Sequence, residues 1–317
     1  MSKFRLFFTT DIHGSDVCFR KFLNAAKVYE ASVLVLGGDI TGKLLIPLVD
    51  EGQGRYRYHW LDRDVVTDAE GAAEAEREIR AAAAYSFRTD PEQLARIQAD
   101  PDLASETFVV AMSGVAKQWV ALAEERLRGR DVECYIAPGN DDDFGIDEVL
   151  GGSDVVRNPE GEVIALRGAV EMIATGYSNP TPWDTPREEP EDALLARISA
   201  MADRVRNMST AVFSLHVPPY GSGLDQAPLL DENLKPRVSG GMVQIGPVGS
   251  TAVRDAIKRY QPSVALHGHI HESRAVVRIG RTRCFNPGSE YGEGVLRGVL
   301  LELDEKKGLL DHVLIAA

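Results

Sequence analysis

Short apolar runs alternate with amphipathic stretches along most of the chain, the pattern of a mainly parallel sheet whose strands are buried on both faces. Residues 4–9 predict a strand that turns polar before Asp11, and 16–30 a helix; 32–36 predict a second strand ending at Gly37-Gly38-Asp39. Further strands are predicted at 132–137, 171–175, 210–215 and 263–266, with a helix over 250–260 leading into the last. Beyond residue 275 the texture changes. Short strands at 275–279, 282–285, 298–303 and 309–315 are separated by Gly280 and by Lys306-Lys307-Gly308, as in an antiparallel run that closes a sheet.

Residues 68–130 depart from the alternation. They are rich in Ala, Glu and Arg, and Val109, Met112, Ala116, Trp119, Val120, Ala123 and Leu127 recur at three- and four-residue steps, the mark of one buried helix face. About ninety residues separate Asp39 from Cys134, far beyond the roughly 2–6 residues of an ordinary sheet connection. The expected organisation is a single domain over 1–317 with a helical insertion at 68–130, broken at Pro91 and Pro101. Extra scaffold, a homo-oligomer surface and a lid over the site are its candidate roles.

At 317 residues the chain can bury about 75% of the surface its unfolded form exposes and needs no covalent staples. Its 48 acidic against 35 basic residues give a net charge of −13, which opposes binding to a nucleic acid polymer or to anionic lipid but leaves a local phosphate pocket open. Cys18, Cys134 and Cys284 are odd in number and widely spaced, the usage of free thiols in a reducing compartment. No run approaches the ~18 apolar residues of a membrane span. The first residues turn polar at Thr9, too early for a secretory apolar region. A cytoplasmic location and no membrane partner are therefore expected.

His13, His216, His267, His269 and His271 lie at or just beyond predicted strand ends, as do Asp11, Asp39 and Asn140. Ligands of open α/β sheets bind at the carboxyl ends of strands, so these groups converge on one rim. Asp, Asn and His together offer hard oxygen and borderline nitrogen donors, suited to Mn, Fe or Zn rather than to a calcium cage. A lone DxH, GGD or GN is weak, since each is common in turns; the ordered set Asp11-x-His13, Gly38-Asp39, Gly139-Asn140-Asp141, His216 and Gly268-His269-Ile270-His271 is specific. Amidohydrolases place HxH at the first strand. Metallo-β-lactamase-type sites need HxHxDH, whereas His267-x-His269-x-His271 runs into Glu272-Ser273. Both rivals fail on order and spacing.

At these residues the chain resembles the calcineurin-like metallophosphoesterase superfamily, whose motifs run D-x-H, G-D, G-N-H, H and G-H-x-H. His216-Val217-Pro218-Pro219 and Asn286-Pro287-Gly288-Ser289 also look like segments seen there. The resemblance implies an α/β two-sheet sandwich flanked by helices, and hydrolysis of a small phosphomonoester or phosphodiester by a hydroxide bridging two divalent ions (Mn, Fe or Zn). It implies Asp11, His13, Asp39 and His271 at one ion and Asp39, Asn140, His216 and His269 at the other, with Asp39 shared. Two dications less Asp11, Asp39 and a hydroxide leave about +1, enough to hold a phosphoryl anion. Asn140 and His216 would thus serve catalysis as well as metal binding.

Asp141 departs from the pattern, which has a histidine there to protonate the leaving group or touch the phosphate. A carboxylate beside two dications stays ionised and repels phosphate. Either Asp141 points away, or another group replaces the acid, or esters with acidic leaving groups are preferred. The alternative is a scaffold of another class that binds metal, presents a protein-interaction surface and has little or no turnover. His267 reads as a structural residue. Trp183, Tyr220 and the 179–190 loop are candidates for the pocket wall, and Arg187 for a phosphate contact.

Overall fold

Alternation within each strand decides which layer a side chain joins. In the computed structural model, which describes residues 3–317, Phe4, Leu6 and Phe8 of strand Lys3–Thr9 join Val33 and Val35 of strand Val33–Gly37 in one core. Phe7, Leu34 and Leu36 join another. The first core lies between two sheets, where these residues meet Met172, Val212, Val264, Leu266 and Phe285. The second lies under helices Asp16–Val28 and Pro101–Leu127, through Phe19, Phe22, Met112 and Trp119. On the far side, Phe213 and Leu215 meet helices Glu191–Ala202 and Thr251–Tyr260. The layers run helix, sheet, sheet, helix. Each fully buried Phe or Leu contributes roughly 1.5–3 kcal/mol to holding them together.

The first sheet has the order Gly308–Ala316, Arg297–Asp304, Lys3–Thr9, Val33–Gly37, Glu133–Ala137, Val156–Arg157. The second has Ala275–Ile279, Thr282–Asn286, Val264–Leu266, Val212–Leu215, Val170–Thr175, Val163–Leu166. Both are parallel at the centre; the first carries antiparallel strands at one edge and the second at both edges. The expected two-sheet α/β sandwich is present, and the parallel strands all release their loops at the same rim.

The segment between Val33–Gly37 and Glu133–Ala137 is not purely helical. Helices Ala69–Ala81, Pro91–Ala99 and Pro101–Leu127 occupy most of 68–130, but strand Tyr85–Thr89 interrupts them. Strands Leu45–Gly52, Arg55–Trp60 and Arg63–Thr67 precede them as an antiparallel meander. Tyr85–Thr89 pairs in parallel with Leu45–Gly52 and completes a four-stranded sheet, with Ala72, Ala75 and Ile79 packed on Leu48 and Ala84. Pro91 and Pro101 start helices rather than merely break them: each stands at the first position behind an Asp cap, where its missing N–H costs nothing. Between Val212–Leu215 and Thr251–Tyr260, two short ladders leave Val238, Met242 and Ile245 exposed.

All three cysteines are free and buried, and burial pushes the Cys134 and Cys284 thiols up to about 12. Among the described residues no helix is long and apolar enough to cross a membrane.

Candidate metal centre

Five loops leave the carboxyl ends of parallel strands and bring the motif residues together. Asp11 and His13 follow Lys3–Thr9, and Asp39 follows Val33–Gly37. Asn140 and Asp141 follow Glu133–Ala137, His216 follows Val212–Leu215, and His269 and His271 follow Val264–Leu266. Tight reversals put Asp11, His13, Asp39 and His269 at positive φ (53°, 41°, 47° and 67°), a region that costs about 1–3 kcal/mol per residue and persists only where the surroundings enforce it. Gly268 is part of that enforcement. A Cβ there would stand 2.2 Å from Asp11 Oδ2 and 2.1 Å from Thr10 Oγ1.

Two groups of donors result: Asp11, His13 and His271, and Asp39, His216 and His269. Within each group the donor atoms lie within 4.8 Å of one another. His13 Nε2 is 3.0 Å from His271 Nε2, and His271 Nε2 is 3.4 Å from Asp11 Oδ1. The two oxygens of Asp39 face different groups, Oδ1 at 3.3 Å from His216 Nε2 and Oδ2 at 3.8 Å from His13 Nε2. Donors that share one ion at about 2.0–2.2 Å stand roughly 3–4 Å apart, so these spacings fit divalent ions.

The surroundings aim the lone pairs inward. His216 Nδ1 lies 3.0 Å from the Gly37 carbonyl; donating there leaves Nε2 as the free acceptor, and Nε2 is buried without a hydrogen-bond partner. Asn140 Nδ2 donates to Thr185 Oγ1 at 2.8 Å, which turns Oδ1 into the site, buried and likewise unpartnered. Asp11 accepts from Thr10 Oγ1 and from the His269 N–H, while Ser289 Oγ donates to its carbonyl at 2.6 Å. Asn286 Nδ2 donates to the Gly268 and Ile270 carbonyls, so the Asn286–Ser289 segment holds the last two histidines in place.

The electrostatics show a demand for positive charge. Burial by itself pushes the Asp11 carboxyl up, yet the His271 hydrogen bond and the charges of His216 and His271 outweigh it and hold Asp11 at about 2. Burial pulls His216 down, but Asp39 and Asp11 push it up to about 10. Asp39 is held well below the carboxylate range by His216 and His13 against the opposite effect of burial. His13 and His269 are pulled down to about 4, chiefly by burial, and are neutral donors near pH 7. Dications between Asp11 and Asp39 would meet the demand that a proton on His216 otherwise meets. The residues present therefore fit divalent metal.

Three sequence readings change or sharpen. Asp141 does not point away: its carboxylate joins His13 and Asp39 within 4.8 Å, its N–H donates to Asp39 Oδ1 at 3.1 Å, and Oδ2 forms an ion pair with Lys43. Arg187 is no phosphate contact, being only 1% exposed. Its Nε donates to the Asp142 carbonyl and Nη2 to Asp147, which fastens the 179–190 loop behind Asn140. His267 is structural as expected; its Nδ1 serves the Leu215 and Val217 carbonyls, and burial pulls it down to about 4. Trp183 and Tyr220 stay largely exposed.

Asp142 escaped the sequence reading. Fully buried, it accepts from Gly139 N and Ile40 N through Oδ2 and from Thr41 N and Oγ1 through Oδ1, and so locks the Asp39 loop to the Asn140 loop. Three consecutive aspartates after Asn140 were the available signal.

No protein-family model matches the chain. A curated relative, the uncharacterized protein MJ1162 of Methanocaldococcus jannaschii, is 27% identical over 158 residues, or 49% of this chain. The chain spans 64% of that relative, less than two thirds of its length. One solved crystal structure is similar over 99% of both chains, with a TM-score of 0.59 at 17% identity. The crystal structure of TT1561 of Thermus thermophilus is similar over 99% of both chains, with a TM-score of 0.54 at 13% identity. These likenesses are of fold, and the shared architecture is the two-sheet α/β sandwich that the motif order led us to expect.

Proposed function

We propose that this chain is a calcineurin-like metallophosphoesterase, a metal-dependent hydrolase of small phosphate esters. One observation carries the reading: two groups of Asp and His donors, delivered by strand-end loops in the superfamily's motif order, meet at one buried rim with Asp39 facing both. Asp11, His13, Asp39 and His271 would hold one divalent ion, and Asp39, Asn140, His216 and His269 the other, with Mn, Fe and Zn all suited to the donors. Such ions, when bound, make water a nucleophile near neutral pH and offset phosphoryl charge.

The chain's own residues do the rest. Thr185 and Gly37 orient Asn140 and His216, Asp142 fixes the spacing of two loops, and Asn140 contributes a neutral amide oxygen that adds no further charge to the Asp11, Asp39 and Asp141 carboxylates. The test is turnover by Mn-loaded protein of p-nitrophenyl phosphate, bis(p-nitrophenyl) phosphate and cyclic nucleotides. Hydrolysis of at least one class, lost in Asp11→Asn, is expected. Protein that holds metal and hydrolyses none of them would instead be the scaffold.

A further inference from the structure

Asp141 places a carboxylate beside Asp39 where the superfamily pattern has a histidine, and an uncompensated charge there would repel a phosphate. It is not uncompensated. Lys43 Nζ is ion-paired with Asp141 Oδ2, the Lys43 side chain is 55% exposed, and its charge also acts on His13 and Asp39 of the same cluster. An ammonium has three N–H donors, and one contact to Asp141 leaves others free.

The backbone that carries Lys43 is fixed from two sides. Thr41 is held by Asp142, at 2.8 Å from its N–H and 2.5 Å from its hydroxyl, and Gly42 N donates to Tyr85 Oη at 2.7 Å. Tyr85 is buried and belongs to the inserted sheet, so the insertion reaches the site through this loop. Lys43 is thereby set by a rigid base and steered at its tip by Asp141.

We propose that Lys43 contacts the phosphoryl oxygens of the substrate, with Asp141 as its positioning residue, so that a Lys–Asp pair stands where the superfamily has a histidine. The inference rests on the phosphoesterase reading. It accounts for the aspartate at position 141 without loss of phosphate binding, because the pair is neutral where a lone carboxylate would be repulsive.

The experiment uses the full chain loaded with Mn and inorganic phosphate as the probe. It measures phosphate affinity by calorimetry, metal content by mass spectrometry, and KM and kcat for p-nitrophenyl phosphate. Lys43→Ala should weaken phosphate affinity and raise KM by about tenfold or more, with metal content and melting temperature unchanged; Lys43→Arg should recover most of that loss. Lys43→Gln repeats the test if the alanine variant folds poorly. Asp141→Asn should keep its metal, and loss of metal in that variant would overturn the pairing by making Asp141 a ligand. Ester hydrolysis by the wild type together with unchanged phosphate affinity in Lys43→Ala overturns the Lys43 assignment alone. Phosphate binding that depends on Lys43, without any ester turnover, overturns the phosphoesterase reading and leaves the contact standing.

Discussion

His216 Nδ1 and the Gly37 carbonyl oxygen are 3.0 Å apart, and this contact ties a ring on one sheet to the strand end of the other. The next residue, Gly38, has φ +117°, and a Cβ there would stand 2.1 Å from the same nitrogen. The ring holds its place only because residue 38 has no side chain. Gly38→Ala should displace His216 and cost roughly tenfold or more in Mn affinity. A calorimetric Mn titration checks this, and an unchanged isotherm would show that the ring tolerates the methyl group.

Asp39 presents one oxygen to His216 and the other to His13. Asp39→Asn should therefore lose both ions together, seen as a fall in bound Mn from about two equivalents toward none. Loss of a single equivalent would mean that Asp39 serves one ion and is not shared.

Asp142 accepts four hydrogen bonds, three of them from backbone N–H groups that have no route to water. Asp142→Ala strands those donors and should destabilise the fold by roughly 2–4 kcal/mol. Part of the loss is offset, because burial and the charge of Asp39 push the Asp142 carboxyl up to about 6 and its removal relieves that repulsion. Urea unfolding of the metal-free proteins gives the difference; a change under ~0.5 kcal/mol would refute the locking role.

Glu171 accepts from Arg206 N and Nε, each at 2.8 Å, and from Asn207 N at 3.3 Å. Burial pushes its carboxyl up, but these hydrogen bonds outweigh it and hold the group below the ordinary 4.5. The folded state thus binds this proton less readily than the unfolded one, so the stabilisation is complete above pH 4.5 and fades as pH falls through the lower folded value. Glu171→Gln should melt below the wild type at neutral pH, and the gap should narrow as pH falls below 4.5. A gap independent of pH would remove the charge from the explanation.

Much of the site was legible because its signals are local. Asp11-x-His13 and Gly268-His269-Ile270-His271 each sit within four residues, and the apolar runs before them mark strands that end at a common rim. The inserted sheet was less legible. Tyr56, Tyr58 and Trp60 alternate with polar residues after Gly52-Gln53-Gly54, a period-two signal that was there to be read. Tyr85–Thr89 alternates in the same way but over only five residues, set between helices; what makes it a strand is its parallel pairing with Leu45–Gly52, a partner some forty positions away.

What the sequence determined by itself was a set of donors suited to metal and an alternation of strands and helices, since donor type, spacing and hydrophobic period are properties of neighbouring residues; the two-sheet layering entered only through the family resemblance. Only the tertiary structure decided which atom of each side chain faces the site. Thr185 turns Asn140, Gly37 turns His216, Lys43 meets Asp141, and Arg187 is drawn inward to Asp147. Each of these partners lies 40 or more positions along the chain, where topology rather than local preference brings two groups within hydrogen-bonding reach.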